Sequence, residues 1–267
     1  MVGPRSGIDR MPDDQLHPLA RPAAYRLATL DQDFLLGDSM RGVRFLLEFA
    51  KADEALRARG ISSTVVVFGS ARVRPDGPGQ QARWYEEARR FGRLASELGG
   101  ALGGGADLDN VIATGGGPGL MEAANRGACD AGAPSIGFNI SLPREQIPNP
   151  YCSPDLTFQF HYFAMRKMHL AMRARALIIF PGGFGTLDEA FEILTLRQTG
   201  KSPAIPVVFF DEAYWRRVID FQALADEGMI DTADLELLAF AETAEEVWNK
   251  LLAGGLILKS SAEIAHP

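Results

Sequence analysis

The stretch Phe180-Pro181-Gly182-Gly183-Phe184-Gly185-Thr186-Leu187-Asp188-Glu189 joins an apolar run, Ala176 to Phe180, to a helical pattern that begins near Thr186. Three glycines let the backbone approach a ligand closely, and the amides at a helix start point outward with a dipole that favours an anion. Thr186 adds a hydroxyl, and two carboxylates follow at once. A loop of this kind can hold a phosphate with chemistry beside it.

Outward from this loop, short apolar strands alternate with helical segments. Strands are expected at Thr64 to Phe68, Asn110 to Thr114, Ser135 to Ile140, Leu156 to Phe160, Ala176 to Phe180 and Ile205 to Phe210. Helices are expected at about Gln80–Glu97, Leu120–Ala131, His161–Arg173, Thr186–Thr199, Glu212–Ala225 and Thr243–Ala253. That alternation predicts a doubly wound α/β domain: a parallel sheet with helices on both faces. Before it, Val43, Leu46, Leu47 and Ala50 recur at helical spacing between Asp38 and Arg59. They read as an N-terminal helix packed on the main body, capped by Asp38 or Ser39 and ended by Gly60. Residues 1–60 are thus a flexible lead plus a helical extension, and 61–267 the Rossmann-like domain.

In such sheets, ligands bind beyond the carboxyl ends of the strands. Three of the expected strands end there in small-residue turns: Gly69-Ser70, Gly115 to Gly119, and Gly182 to Gly185. Gly69, Ser70, Gly116 and Gly117 therefore join the opening loop as candidate substrate and phosphate contacts. The run Gly115-Gly116-Gly117-Pro118-Gly119-Leu120 breaks the dinucleotide pattern G-x-G-x-x-G at Leu120, and no P-loop occurs. The sequence thus argues against the familiar types of NAD or ATP enzyme.

Composition bounds the rest. The 267 residues carry a formal net charge of −7, which argues against a protein that coats nucleic acid. The two cysteines, Cys129 and Cys152, have no metal-ligand spacing, and no metal or cofactor is expected. Residues 1–22 lack the apolar core of a signal peptide, and no apolar run reaches membrane-spanning length. A cytoplasmic protein with no membrane partner is expected.

Two clusters could carry chemistry. Thr186 and Glu189 stand three apart at a helix start, which is also the spacing of a capping box; Asp188 gains from the helix dipole in either case. Spacing leaves Glu189 undecided between cap and catalyst. Met165-Arg166-Lys167 lies on the helix before the loop's strand, among Phe158, Phe160, Tyr162, Phe163, Met168 and Leu170. A cationic pair in so apolar a setting calls for an anionic partner, although a solvated face is the usual fate of such a pair.

Residues 181–189 match the PGGxGTxxE signature of the LOG (LONELY GUY) family, and Met165-Arg166-Lys167 matches its companion basic motif. Gly115 to Ala123 resembles the family's glycine-rich turn, and Phe68 to Arg72 its first strand end. The likeness covers roughly residues 61–255. Members are often labelled lysine decarboxylases, but no pyridoxal phosphate site is visible here. The resemblance implies a nucleoside 5′-monophosphate phosphoribohydrolase that releases a free base, adenine from AMP or a cytokinin, and ribose 5-phosphate. It implies Arg166 and Glu189 as the catalytic pair, with Lys167, Gly182, Gly183, Gly185, Thr186 and Asp188 around the phosphate and ribose. It adds Glu145 and Thr195 as substrate contacts, and a homodimer or larger homo-oligomer. The extension of about 60 residues departs from the short plant-type enzymes and is closer to the longer bacterial branch. Molybdenum-cofactor carriers share this fold, and a carrier or other non-catalytic nucleotide-binding protein is the rival reading.

Overall fold

A computed structural model describes residues 23–103, 107–142 and 147–258. The expected flexible lead falls almost wholly outside them, as does Glu145. The chain divides into two compact units, one ending at Leu47 and one beginning at Glu48.

In the first unit, a short helix α1 (Gln32–Leu36) starts at Asp31, whose carboxylate accepts from the Phe34 amide. The Arg44 guanidinium donates to the Leu35 and Gly37 carbonyls, closing the end of α1. Helix α2 (Arg41–Ala58) runs across the boundary between the units. Its buried positions are Ala52, Asp53 and Leu56, whereas Val43, Leu46, Leu47 and Ala50 are exposed. The burial thus lies a turn or two later than the hydrophobic spacing predicts. Gly60 ends the segment with φ of +70°, a conformation that favours glycine.

The second unit is a seven-stranded sheet in the order β4-β3-β2-β1-β5-β6-β7, and every pairing is parallel. The strands are β1 (Thr64–Phe68), β2 (Val111–Thr114), β3 (Ser135–Ile140), β4 (Thr157–Phe160), β5 (Ala174–Ile179), β6 (Val207–Phe210) and β7 (Ala239–Ala241). Side chains alternate between two buried faces, as a parallel sheet covered on both sides requires. Val65, Val67, Ile112, Ile178 and Phe210 pack under α3 (Gln81–Leu98), α4 (Leu120–Asp130) and α9 (Ala244–Ala253). Val66, Phe68, Phe138, Leu177 and Phe209 pack under the second half of α2, α5 (Phe163–Met172), α6 (Phe184–Gln198), α7 (Glu212–Val218) and α8 (Phe221–Asp226). This is the doubly wound α/β fold. Among the described residues no helix is long and apolar enough to cross a membrane.

Three elements differ from the sequence reading. The helix expected over Glu212–Ala225 is two helices, because Ile219 is extended and Asp220 starts α8 by accepting from the Ala223 amide. The edge strand β7 is only three residues long, too short for its pattern to register. Helix α6 begins at Phe184, two residues before the expected start, so its first turn lies inside the glycine loop.

The sheet reverses its winding between β1 and β5, which opens a crevice at their carboxyl ends. The backbone locks it together. The Ser70 amide donates to the Pro181 carbonyl, the Phe180 amide to the Phe68 carbonyl, and the Leu120 amide to the Ser70 carbonyl. Under the α4 side, α3 and α4 meet through glycine. A Cβ at Gly127 would fall inside contact distance of the Arg89 carbonyl and the Arg93 amide. Gly127→Ala is therefore expected to cost about 1–3 kcal/mol of stability through overpacking. Urea unfolding of the purified variant checks this, and an unchanged midpoint would refute the close-packing account.

Candidate functional site

Helices α5 and α6 supply the site, and the helical period explains which side chains they turn inward. On α6, Thr186, Glu189, Ala190 and Ile193 are buried, the i, i+3, i+4, i+7 stripe of an amphipathic helix. Glu189 sits in that stripe as its one charged member. On α5, Arg166 shares a stripe with the buried His169 and Leu170.

The two stripes meet in an ion pair. Arg166 Nη2 lies 2.7 Å from Glu189 Oε1, with the side chains only 13% and 6% exposed. The Arg166 guanidinium also lies over the Phe163 ring at 5.3 Å, and its buried Nε has no hydrogen-bond partner among the described residues. Burial pushes the Glu189 carboxyl above its ordinary value; the charges of Arg166 and Lys167 pull it back without cancelling the shift. Lys167 Nζ contacts Asp188 at 2.8 Å and Glu192 at 2.9 Å. Burial works to lower its pKa, but the bonds to those two carboxylates win and hold it above the usual lysine value.

The early start of α6 removes the capping-box reading. Gly183 is the N-cap residue, so Thr186 is the third helical residue and Glu189 lies a turn further in. Among the described residues no side chain caps this helix, and its first amides have no acceptor within it. The glycines divide the work. Gly182 packs against the Thr186 side chain, and its carbonyl accepts from the Tyr214 hydroxyl at 2.8 Å. At Gly183 and Gly185 nothing among the described residues lies within 4 Å of where a Cβ would be, so both glycines face open space.

Of the other expected residues, Gly69 sits where a Cβ would strike Leu120 and Phe180. The Ser70 hydroxyl accepts from the Arg72 amide at 3.1 Å. Gly116 has φ of +68°, and a Cβ there would strike Asn139; its carbonyl accepts from Asn139 Nδ2 and from the Asn149 amide. The Gly117 carbonyl accepts from Asn149 Nδ2. Arg166 reaches this turn too, since a Cβ at Gly115 would lie 3.7 Å from its Nη1. Thr195 lies farther along α6, its hydroxyl bonded to the Phe191 carbonyl. It lines a concavity of about 520 Å³ with Lys167, Phe184, Asp188 and Glu192. Structure thus gathers Arg166, Lys167, Asp188, Glu189 and the Gly183–Thr186 turn; Gly69 is fixed by close side-chain packing, and Gly116 and Gly117 by hydrogen bonds from buried asparagines.

Sequence reasoning missed the asparagines beneath the glycine turn, Asn125, Asn139 and Asn149, all buried and hydrogen-bonded to it or to one another. Asn139, an isolated amide within the run Ile136 to Ile140, was the available signal; Asn125 and Asn149 lie in mixed or proline-flanked segments that offer none. It also missed Glu192 and Tyr214, which no motif marks. Among the described residues no group of three or more histidine, cysteine, aspartate or glutamate side chains is placed to hold a metal ion.

A family model described as "Possible lysine decarboxylase" matches residues 121–251. The cytokinin riboside 5′-monophosphate phosphoribohydrolase LOG3 of Arabidopsis thaliana is 28% identical over 145 residues, 53% of this chain and 66% of that protein. Over these residues the chain is similar to the LOG family. A second LOG-family relative, the phosphoribohydrolase LOG4 of Arabidopsis thaliana, is 27% identical over 180 residues, 61% of this chain and 82% of that protein. The X-ray structure of TM1055, a structural-genomics target, superposes with a TM-score of 0.52 at 23% identity, covering 72% of this chain and 99% of that one. It shares the fold.

The buried pair yields a test by pH. Because the folded Glu189 carboxyl titrates above its unfolded value, its contribution to stability is full below the unfolded pKa and is lost as pH rises through the folded one. Arg166→Met removes the chief opposing charge and raises the folded value further. Such a variant is expected to lose about 3–5 kcal/mol near pH 7, as for a broken buried pair, and less near pH 5. Urea unfolding at both pH values measures this; a deficit that ignores pH would contradict the assignment.

Proposed function

We propose that this LOG-like protein hydrolyses the N-glycosidic bond of a nucleoside 5′-monophosphate. The observation that carries the reading is the buried Arg166–Glu189 pair set beside an uncapped, glycine-opened helix start. The phosphoribohydrolase names of the Arabidopsis relatives support the reaction class.

The C1′–N bond breaks, the base departs with its electron pair and takes up a proton, and water oxygen joins C1′ to give ribose 5-phosphate. Positive charge grows on the ribose as the bond stretches. A carboxylate fixed nearby stabilises that charge or aligns the water, and Glu189 has this part. Its raised pKa places its ionisation closer to neutrality, where proton transfer is most effective. Arg166 holds the carboxylate with one arm of a fork suited to orienting it. The 5′-phosphate lies on the amides of Phe184 to Thr186, with room provided at Gly183 and Gly185. An ammonium has three donors, and the two carboxylates on Lys167 leave one for the phosphate. Gly69, Ser70, Gly116 and Gly117 shape the crevice wall. The exposed Phe163, Met168, Met172 and Phe184 on α5 and α6 suit contact with a second copy of the chain.

Incubation with AMP, isopentenyl-AMP and other monophosphates, followed by chromatography of the released base, tests the reaction. Glu189→Gln is expected to lower kcat by on the order of 10²–10⁴-fold, the range for a lost acid–base group. Lys167→Ala is expected to act mainly on KM. Tight nucleotide binding without base release would favour the non-catalytic nucleotide-binding reading instead, and bound pterin absorbance the carrier reading.

A further inference from the structure

We propose that Glu48 is a positioning residue for Arg166: from α2 it clamps the start of α5 and so sets the angle at which Arg166 meets Glu189. Helix α5 begins after Tyr162, whose own side chain caps nothing. In a capping box, a glutamate at the third helical position accepts from the N-cap amide. Here that position is Met165, which cannot accept such a bond. Glu48 takes its place from another helix: Oε1 accepts from the His161 amide at 2.9 Å and Oε2 from the Tyr162 amide at 3.2 Å. The next link is direct, because the Arg166 amide donates to the Tyr162 carbonyl at 3.3 Å. The residue that Glu48 grips therefore closes the turn that carries Arg166.

Two further ties join the same helices. The Phe49 carbonyl accepts from His169 Nε2 at 3.1 Å, and the two rings stack with centroids 5.1 Å apart. Burial lowers the His169 pKa, in keeping with a neutral ring that donates through Nε2. At the far end, Arg173 pairs with Asp53 at 2.6 Å, and Asp53 also holds Arg57 at 2.9 Å. Arg166 lies between the Glu48 clamp at His161 and Tyr162 and the tie at His169. Since its Nε is unpartnered among the described residues, its pose rests on the α5 backbone, the Phe163 ring and the bond to Glu189. Small shifts of that backbone reach the pair undamped, and a displacement of about 1 Å in a catalytic group can cost roughly 10²-fold in rate.

The kinetic side of this proposal rests on the phosphoribohydrolase reading, so the deciding measurement is one that needs no turnover. The charged groups that act on Glu189 are Arg166 and Lys167 from α5 and Glu192 from its own helix. In the full-length chain, ¹³C NMR of the Glu189 carboxyl carbon gives its titration midpoint. Glu48→Ala is expected to shift that midpoint upward, as Arg166 loosens, and to lower kcat about tenfold or more with KM little changed. Glu48→Gln keeps one acceptor oxygen and is expected to recover part of both. Asp53→Asn loosens the opposite end of α5 and serves as the stability control: a lower Tm with the midpoint and kcat as in the unmodified protein. A midpoint unmoved in Glu48→Ala, or moved equally in Asp53→Asn, overturns the proposal. Absence of base release from the unmodified protein would count against the reaction alone, because the midpoint is read without it.

Discussion

The backbone of Ser70 ties three strand ends into one junction. Its amide donates to the carbonyl of Pro181 after β5, and its carbonyl accepts from the first amide of α4 after β2. A Cβ at Gly69 would push Leu120 and Phe180 apart, so the closeness of these turns depends on a residue without a side chain. Everything that bears on a ligand is referred to this point. The glycine loop leaves from Pro181, α6 rises from it at Phe184, and the turn touched by Arg166 descends from β2. A small loss of closure here would move both walls of the crevice at once.

Onto this junction the fold places a costly arrangement. Two oppositely charged side chains are withdrawn from water, and the carboxylate is left with a raised affinity for protons. Buried pairs of this kind are poor sources of stability and are sensitive to the loss of either member. Their value lies in fixed geometry and a tuned proton affinity, which a site that stabilises developing charge requires. The asparagine set beneath the glycine turn fixes geometry too, replacing water as partner for its buried backbone carbonyls.

The strands were legible because each is a short β-branched or aromatic run bounded by glycine or polar residues, and β1 and β3 fall where that pattern places them. The paired motifs and the three glycine turns were legible as chemistry for the same reason: the backbone requirement is local. What was not legible is tertiary. At its start helix α6 takes in Phe184 and Gly185, with Gly182 packed close on Thr186, although glycine's weak helix propensity points the other way. Glu189 could not be separated from a helix cap until that start was known. The break at Ile219-Asp220 follows from a cap that competes with helix continuation, a choice that local spacing does not decide. Glu48 carries no signal at all, since its partners are backbone amides 113 and 114 positions away.

The carboxylates around Lys167 bear on how a substrate arrives. Within this cluster two cations, Arg166 and Lys167, face three acids, Asp188, Glu189 and Glu192. The local charge is therefore not the positive field that draws phosphates in from a distance, and the chain as a whole is acidic. Long-range attraction, which ionic strength would screen, contributes little to encounter here. On the proposed reading, recognition of the phosphate falls instead to contacts made at the amides after arrival. A site so arranged would discriminate by fit and would let an anionic product leave without a strong field to hold it.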